Sequence, residues 1–293
     1  MGDFGEKERA IRELFSEGTE FNRDGKSYCV SKVGKPTCSK GEPKTDIYIK
    51  AENSNDSIEI KISYKKENAD FLENKMSAER AEQLFGPDWK YIIEQSTLDI
   101  SNEFEARILI YANAVGKTEK GAITLGWKFE LMNKPSGALS GKMNLTSSQV
   151  IDVYAGNNLT GDKKDASVNG ETILNSGIAN YILMDDTVKN AQDVIDRMIP
   201  IEEYVELHPD IYFACKALNY RTFKAKWDGN RPLCVQVIWD AQDGKLVPKL
   251  KYDEPLIIRG NEVAQRLIKY MQALNIRNTD DLNDDNTGTD KIE

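Results

Sequence analysis

The segment from residue 45 to residue 63 constrains the fold most, because polar and apolar residues alternate on both sides of one turn. In Ser57–Ser63 every second residue is isoleucine, and Thr45–Lys50 alternates in a similar way. The sequence Asn53-Ser54-Asn55-Asp56 lies between the two runs, and such residues favour turns. The pattern predicts a β-hairpin whose isoleucines, Ile58, Ile60 and Ile62, face a core.

Other segments of the chain have helical or strand-like periodicity. Apolar residues recur at helical spacing over residues 6–21, 69–85 and 188–198, and again from residue 261. Strand-like runs cover residues 107–111, 122–131, 220–227, 232–240 and 245–252, and Asp-Gly pairs join the last three runs. The sequence therefore predicts an α/β (α+β) fold, in which a mixed central sheet is flanked by helices and followed by a β-meander and a C-terminal helix.

The chain has 293 residues and no Pro/Ser-rich linker, which predicts one domain over residues 1–278. Residues 279–293 contain six acids and one base and lack apolar periodicity. This composition predicts a disordered acidic tail.

Several classes of protein are disfavoured by composition. His208 is the only histidine, and the four cysteines include no C-x-x-C pair, so His-based catalysis and zinc sites are disfavoured. A metal would need carboxylate ligands, which favours Mg²⁺. No apolar run is long enough to cross a membrane, and the charged N-terminus does not resemble a secretory signal. We expect a cytoplasmic protein without a membrane partner.

Three charged residues of the hairpin could form a metal site. Glu59 and Lys61 share one strand face, and Asp46 lies on the preceding strand. If Asp46 lies opposite Lys61, Asp46 and Glu59 are diagonal neighbours about 7–8 Å apart and can share one Mg²⁺. A symmetric turn would instead pair Asp46 with Ser63, so this site requires a bulge or a shorter turn.

The motif resembles the PD-(D/E)XK nuclease superfamily, which includes most type II restriction endonucleases. The similar residues are Pro43-Lys-Thr-Asp46 and, after twelve further residues, Glu59-Ile60-Lys61. The resemblance implies a restriction-endonuclease-like core, with Asp46, Glu59 and the Ile60 carbonyl as metal ligands. It also implies that Lys61 orients or activates the attacking water, and that Glu20 is an additional acid.

Basic residues near this motif and in the C-terminal strands are candidates for DNA contacts. Residues 21–50 carry seven bases and three acids, and residues 220–227 interleave bases with aromatic side chains. A solvated loop and an ordinary exposed sheet explain the same two patterns. The candidates are Lys35, Lys40, Lys44, Lys65, Lys66, Arg221, Lys224, Lys226 and Arg231.

Together these observations favour an Mg²⁺-dependent endonuclease that cuts double-stranded DNA at a short specific sequence. Because two-fold protein symmetry matches palindromic DNA, we expect a homodimer. The alternative is a non-catalytic DNA-binding or assembly module with a nuclease-like hairpin. A nuclease that acts on RNA or on single strands also stays open.

Overall fold

The computed structural model describes residues 3–65, 71–185 and 187–293, and over these residues it has sixteen strands and eight α-helices. The strands are β1 (Glu20–Arg23), β2 (Lys26–Gly34), β3 (Ile47–Glu52), β4 (Ser57–Tyr64), β5 (Phe71–Glu73), β6 (Ile110–Tyr111), β7 (Ala122–Met132), β8 (Ser140–Lys142), β9 (Ser167–Val168), β10 (Glu171–Thr172), β11 (Tyr181–Leu183), β12 (Ile199–Pro200), β13 (Tyr212–Arg221), β14 (Lys226–Trp227), β15 (Val235–Gln242) and β16 (Lys245–Lys251). The helices are α1 (Asp3–Glu13), α2 (Ala78–Phe85), α3 (Trp89–Leu98), α4 (Ser101–Glu105), α5 (Ser147–Ala155), α6 (Ala191–Arg197), α7 (Ile201–Leu207) and α8 (Gly260–Ala273). The α/β class predicted from the sequence is confirmed.

The chain divides into two compact units. Unit 1 comprises Met1–Asp70, Gln83–Gly86 and Leu145–Pro209, and unit 2 comprises Phe71–Glu82, Pro87–Asn144 and Asp210–Glu293. This division differs from the single domain expected over residues 1–278. Each unit is assembled from three separate segments, so no single linker in the sequence marks the boundary. Among the described residues, no helix is both long and apolar enough to span a membrane.

Unit 1 contains a mixed six-stranded sheet in the order β1-β2-β3-β4-β11-β12. Only β4 and β11 pair in parallel, and the other neighbours are antiparallel. The predicted hairpin is formed by β3 and β4. Its isoleucines lie on the face that α1 and α6 cover: Ile60 and Ile62 are fully buried and Ile58 is partly buried. The alternation therefore predicted the core face of this hairpin correctly.

Unit 2 contains a larger antiparallel sheet in the order β14-β13-β7-β15-β16. The meander predicted for the C-terminal strands is wrong in one respect, because β7 lies between β13 and β15. The Asp243-Gly244 pair does join two neighbouring strands, β15 and β16. Helix α8 begins where the apolar periodicity predicted, and its buried residues include Val263, Leu267 and Met271.

Residues 279–293 differ from the disorder expected of an acidic tail. The backbone N–H groups of Leu109 and Ile110 donate to the carbonyl of Lys291, at 2.9 and 3.1 Å. The N–H of Leu246 donates to the carbonyl of Asn286 at 2.8 Å. This segment is held by backbone pairing to β6 and β16, and backbone pairing does not require the apolar periodicity whose absence suggested disorder.

Candidate active site

The hairpin register decides which charged residues come together. Glu52 pairs with Ser57 and Lys50 pairs with Glu59, so the turn is a symmetric four-residue loop. The side-chain Oδ1 of Asn53 accepts the N–H groups of Asn55 and Asp56, each at 2.9 Å, and this stabilises the loop. No shift of register brings Asp46 towards Glu59.

Asp46 therefore lies far from Glu59. Asp46 precedes Lys50, which faces Glu59, by four positions. At ~3.3 Å per position, the two acids lie about 13 Å apart along the strand. Such a separation is too large for one shared Mg²⁺, whose ligands lie at about 2.1 Å. The hairpin register thus does not bring Asp46, Glu59 and Lys61 together around one ion.

Glu59 and Lys61 instead make local contacts. The exposed Glu59 accepts a hydrogen bond from the hydroxyl of Tyr48 at 2.5 Å through Oε1. Lys61 donates to the carbonyl of Asn175 at 3.1 Å, and burial lowers the pKa of its ammonium group despite the nearby Glu59. Both side chains thus already have partners within unit 1.

Two further predicted site residues are also placed away from Asp46. Glu20 is the exposed first residue of β1 and pairs with Cys29, because α1 ends at Glu13 instead of continuing to residue 21. Ile60 lies within the hairpin opposite Ile49, and its side chain is fully buried in the core.

Asp46 itself is anchored at the end of the sheet, just before β3. Its N–H donates to the carbonyl of Ile62 at 2.8 Å, and its Oδ2 accepts the N–H of Tyr64 at 2.8 Å. The ammonium group of Lys65 lies 3.7 Å from the same Oδ2. The two side chains are 18% and 20% exposed, so this carboxylate–lysine pair is largely buried.

A second acid, Glu8 of α1, is coupled to Asp46. Glu8 is buried and binds Lys35, whose Nζ lies 2.9 and 3.0 Å from its two carboxylate oxygens. We call Glu8, Lys35, Asp46 and Lys65 the Glu8–Asp46 cluster. Glu8 could have been found from the sequence, because it lies at helical spacing from two buried apolar residues, three positions before Ile11 of α1 and seven before Phe15.

Electrostatic interactions connect the members of the cluster. Burial raises the pKa of Asp46, against the opposing effects of Lys65, the Tyr64 N–H and Lys35. Burial also raises the pKa of Glu8, against Lys35, and the negative charge of Asp46 raises it further. Asp46 raises the pKa of Glu8, and Glu42 raises the pKa of Asp46, so the negative charges of this region favour the binding of a cation.

Two buried hydroxyl groups beside Asp46 lack hydrogen-bond partners among the described residues. They are Ser63 Oγ, fully buried between the two residues that bind Asp46, and Thr45 Oγ1, in the residue just before Asp46. A buried hydroxyl without a hydrogen bond makes the free energy of folding less favourable. A bound ion or water that contacts these hydroxyls would remove this penalty.

The cluster has as many carboxylates as magnesium sites commonly use. The described part of the chain has no group of three or more His, Cys, Asp or Glu side chains that could hold a metal. Mg²⁺ commonly binds through only one or two carboxylates and completes its shell with water and substrate phosphate oxygens. Asp46 and Glu8 together supply two carboxylates, and Asp46 Oδ1 accepts no hydrogen bond from the described residues.

The basic residues predicted near the hairpin have different environments. Lys35 and Lys65 belong to the cluster, whereas Lys40 is exposed and Lys44 is buried. The Lys44 backbone N–H donates to the carbonyl of Gly177 at 2.9 Å. Lys66 lies outside the described residues.

Two of the four basic residues predicted in unit 2 form ion pairs with acids. Arg221 binds Asp228 at 2.6 Å and Glu119 at 2.6 Å, and Lys224 binds Glu119 at 2.6 Å. The exposed side chains of Lys226 and Arg231 make no ion pair with described residues. Of the four, only these two remain available to a nucleic acid without breaking an ion pair.

No family model, curated protein or solved structure matches this chain. The resemblance to PD-(D/E)XK nucleases therefore depends on the residues of the chain itself.

Proposed function

We propose that the chain is an Mg²⁺-dependent endonuclease that hydrolyses phosphodiester bonds of double-stranded DNA at a short specific sequence. The observation that carries the proposal is the Glu8–Asp46 cluster, with two acids, two lysines and two unsatisfied hydroxyls at one end of a mixed sheet. In this proposal unit 1 is the restriction-endonuclease-like core, and the enzyme is a cytoplasmic homodimer.

The proposed roles differ from those predicted for the hairpin residues. Asp46 and Glu8 would hold the ion, and Lys65 would take the place given to Lys61. A bound magnesium ion would polarise the scissile phosphate and lower the pKa of a coordinated water. Lys65 lies 3.7 Å from Asp46 and would hold the attacking water and stabilise charge on the phosphate.

The hydrolysis that these groups would support is balanced by water alone. The water oxygen forms a bond to phosphorus and gives up a proton, while the ester bond to the leaving oxygen breaks. The leaving oxygen then takes a proton from solvent. None of these steps requires histidine, which agrees with a chain that has only one.

A specific observation favours the alternative of a non-catalytic DNA-binding or assembly module. Both acids of the cluster already contact lysines, and Asp46 also accepts a backbone hydrogen bond. If these ion pairs persist in the presence of substrate, the cluster stabilises the sheet end and does no chemistry.

Incubation of plasmid and phage DNA with the protein separates the two functions. We expect discrete fragments with Mg²⁺ and none with EDTA. A smear would indicate a non-specific nuclease, and intact DNA across many substrates would favour the non-catalytic module.

A further inference from the structure

A solvent-open cavity of about 440 Å³ in unit 1 adjoins the Glu8–Asp46 cluster. Arg12 of α1 and Lys35, just after β2, contribute positive charge to its wall, and Glu13 contributes one negative charge. Thr37 and the Asn169-Gly170 turn complete its polar surface. The cavity wall thus has a net positive charge, which favours an anion.

Lys35 connects this cavity with the cluster. Its ammonium group binds both oxygens of Glu8, yet its side chain is 39% exposed and also lines the cavity. Lys35 therefore lies between Glu8 and any anion that enters the cavity.

Arg12 is the second cation of the cavity. It follows Glu8 by four residues on α1, which places both side chains on one helix face. Its charge acts on Glu8, but it forms no ion pair with any described residue. A guanidinium group can bind a phosphate through two parallel hydrogen bonds.

The charges of the cluster indicate how a bound anion would change its affinity for a cation. Glu8 and Asp46 are balanced by Lys35 and Lys65, so a divalent cation alone would leave an excess of positive charge in a partly buried site. A phosphate that binds Lys35 removes one positive charge from Glu8 and adds a negative charge nearby. Both changes favour cation binding.

We propose that the cavity binds a backbone phosphate of duplex DNA through Arg12 and Lys35, and that Lys35 thereby releases Glu8 to the cation. The cation step rests on the proposed function, whereas the phosphate step does not. Linkage requires that DNA raise the affinity for the cation by the same factor as the cation raises the affinity for DNA.

The first experiment measures binding of a fluorescent DNA duplex by anisotropy in EDTA, over a range of salt concentrations. Arg12→Met is compared with Arg9→Met, which removes an exposed arginine from the same helix. We expect Arg12→Met to weaken binding about tenfold or more and to reduce the salt slope by about 0.9, as the loss of one phosphate contact does. Equal effects of the two variants, an unchanged slope or no binding by the parent would overturn the proposal.

The second experiment measures Mn²⁺ binding by titration calorimetry, with and without a duplex that carries uncleavable linkages. Lys35→Met is compared with Lys26→Met, which alters an exposed lysine at the start of β2. We expect Lys35→Met to bind Mn²⁺ more tightly than the parent without DNA and to lose most of the gain that DNA confers. If Lys35→Met retains the parent's affinity and the parent's response to DNA, the coupling is wrong.

The outcomes separate this inference from the proposed function. If Arg12 determines DNA binding but no DNA is cut with Mg²⁺, the phosphate site stands and the nuclease proposal fails. If DNA is cut and Arg12→Met binds and cuts like the parent, the nuclease proposal stands and the inference fails.

Discussion

The comparison of Asp46→Asn with Glu59→Gln tests the hairpin register through activity. Both substitutions replace a carboxylate by an amide of nearly the same shape, and the amide oxygen introduced by Asp46→Asn can still accept the Tyr64 N–H. Asp46 lies at the sheet end beside Lys65, whereas Glu59 is about 13 Å away along the strand. The two variants therefore differ mainly in their distance from the proposed ion.

The expected magnitudes follow from that distance. Loss of the Asp46 ligand removes several kcal/mol of charge stabilisation, and about 4 kcal/mol corresponds to a rate lower by about 10³. The Glu59 charge at about 13 Å contributes roughly 0.3–1.3 kcal/mol to an ion at the site for effective dielectric constants of about 80 to 20, and salt screens it further. We therefore expect Glu59→Gln to slow cutting by less than about tenfold.

The assay follows the conversion of supercoiled plasmid to open-circular and linear forms with Mg²⁺ over time. Circular dichroism of each variant checks that the fold is retained. If Glu59→Gln is inactive, the register argument is refuted. Loss of activity in both variants would then support the Asp46–Glu59 motif predicted from the sequence, whereas loss in Glu59→Gln alone would exclude Asp46 from the site.

Three further predictions concern other residues of the two units. Lys65→Met should reduce the single-turnover rate of cutting at least about 100-fold, whereas Lys61→Met should change it little, because of the two lysines only Lys65 lies beside Asp46. The reverse result would show that the two roles are exchanged. In EDTA at neutral pH, Glu8→Gln should unfold at the same temperature as the parent or higher. The parent should lose stability as pH rises from the usual carboxyl pKa through the raised pKa of Glu8, because folding favours the protonated acid in that window. A melting temperature of Glu8→Gln below that of the parent at neutral pH would contradict this sign. Removal of residues 279–293 should lower Tm by more than about 4 °C, because the backbone pairing at Leu109 and Leu246 stabilises the fold by roughly 2 kcal/mol. An unchanged Tm would instead support a disordered tail.

The hairpin shows how far the sequence could predict the fold. The isoleucines at every second position predicted the two strands and the core face, because side chains point to opposite faces of a strand with a period of two. The register depends on a different property, the hydrogen bonds inside the four-residue turn made by Asn53. Residue types at the turn were compatible with several loop lengths, so the position of Asp46 relative to Glu59 could not be predicted.

The candidate site was predictable only in part for a similar reason. Asp46 was identified, and Lys65 was selected as a basic residue but for a different role. Glu8 was missed because a short motif contains no information about which helix packs over the end of the sheet. A glutamate on a buried helical stripe is nevertheless a visible signal, since such a position normally carries an apolar side chain.

The most direct test of the Glu8–Asp46 cluster is to locate a bound Mn²⁺ ion by anomalous scattering in crystals of the protein with duplex DNA. The account predicts one ion within about 2.1–2.2 Å of carboxylate oxygens from both Asp46 and Glu8, with Lys35 turned towards a backbone phosphate. An ion held by Glu59, or ion pairs from Glu8 to Lys35 and from Asp46 to Lys65 that persist with DNA and Mn²⁺ present, would contradict it.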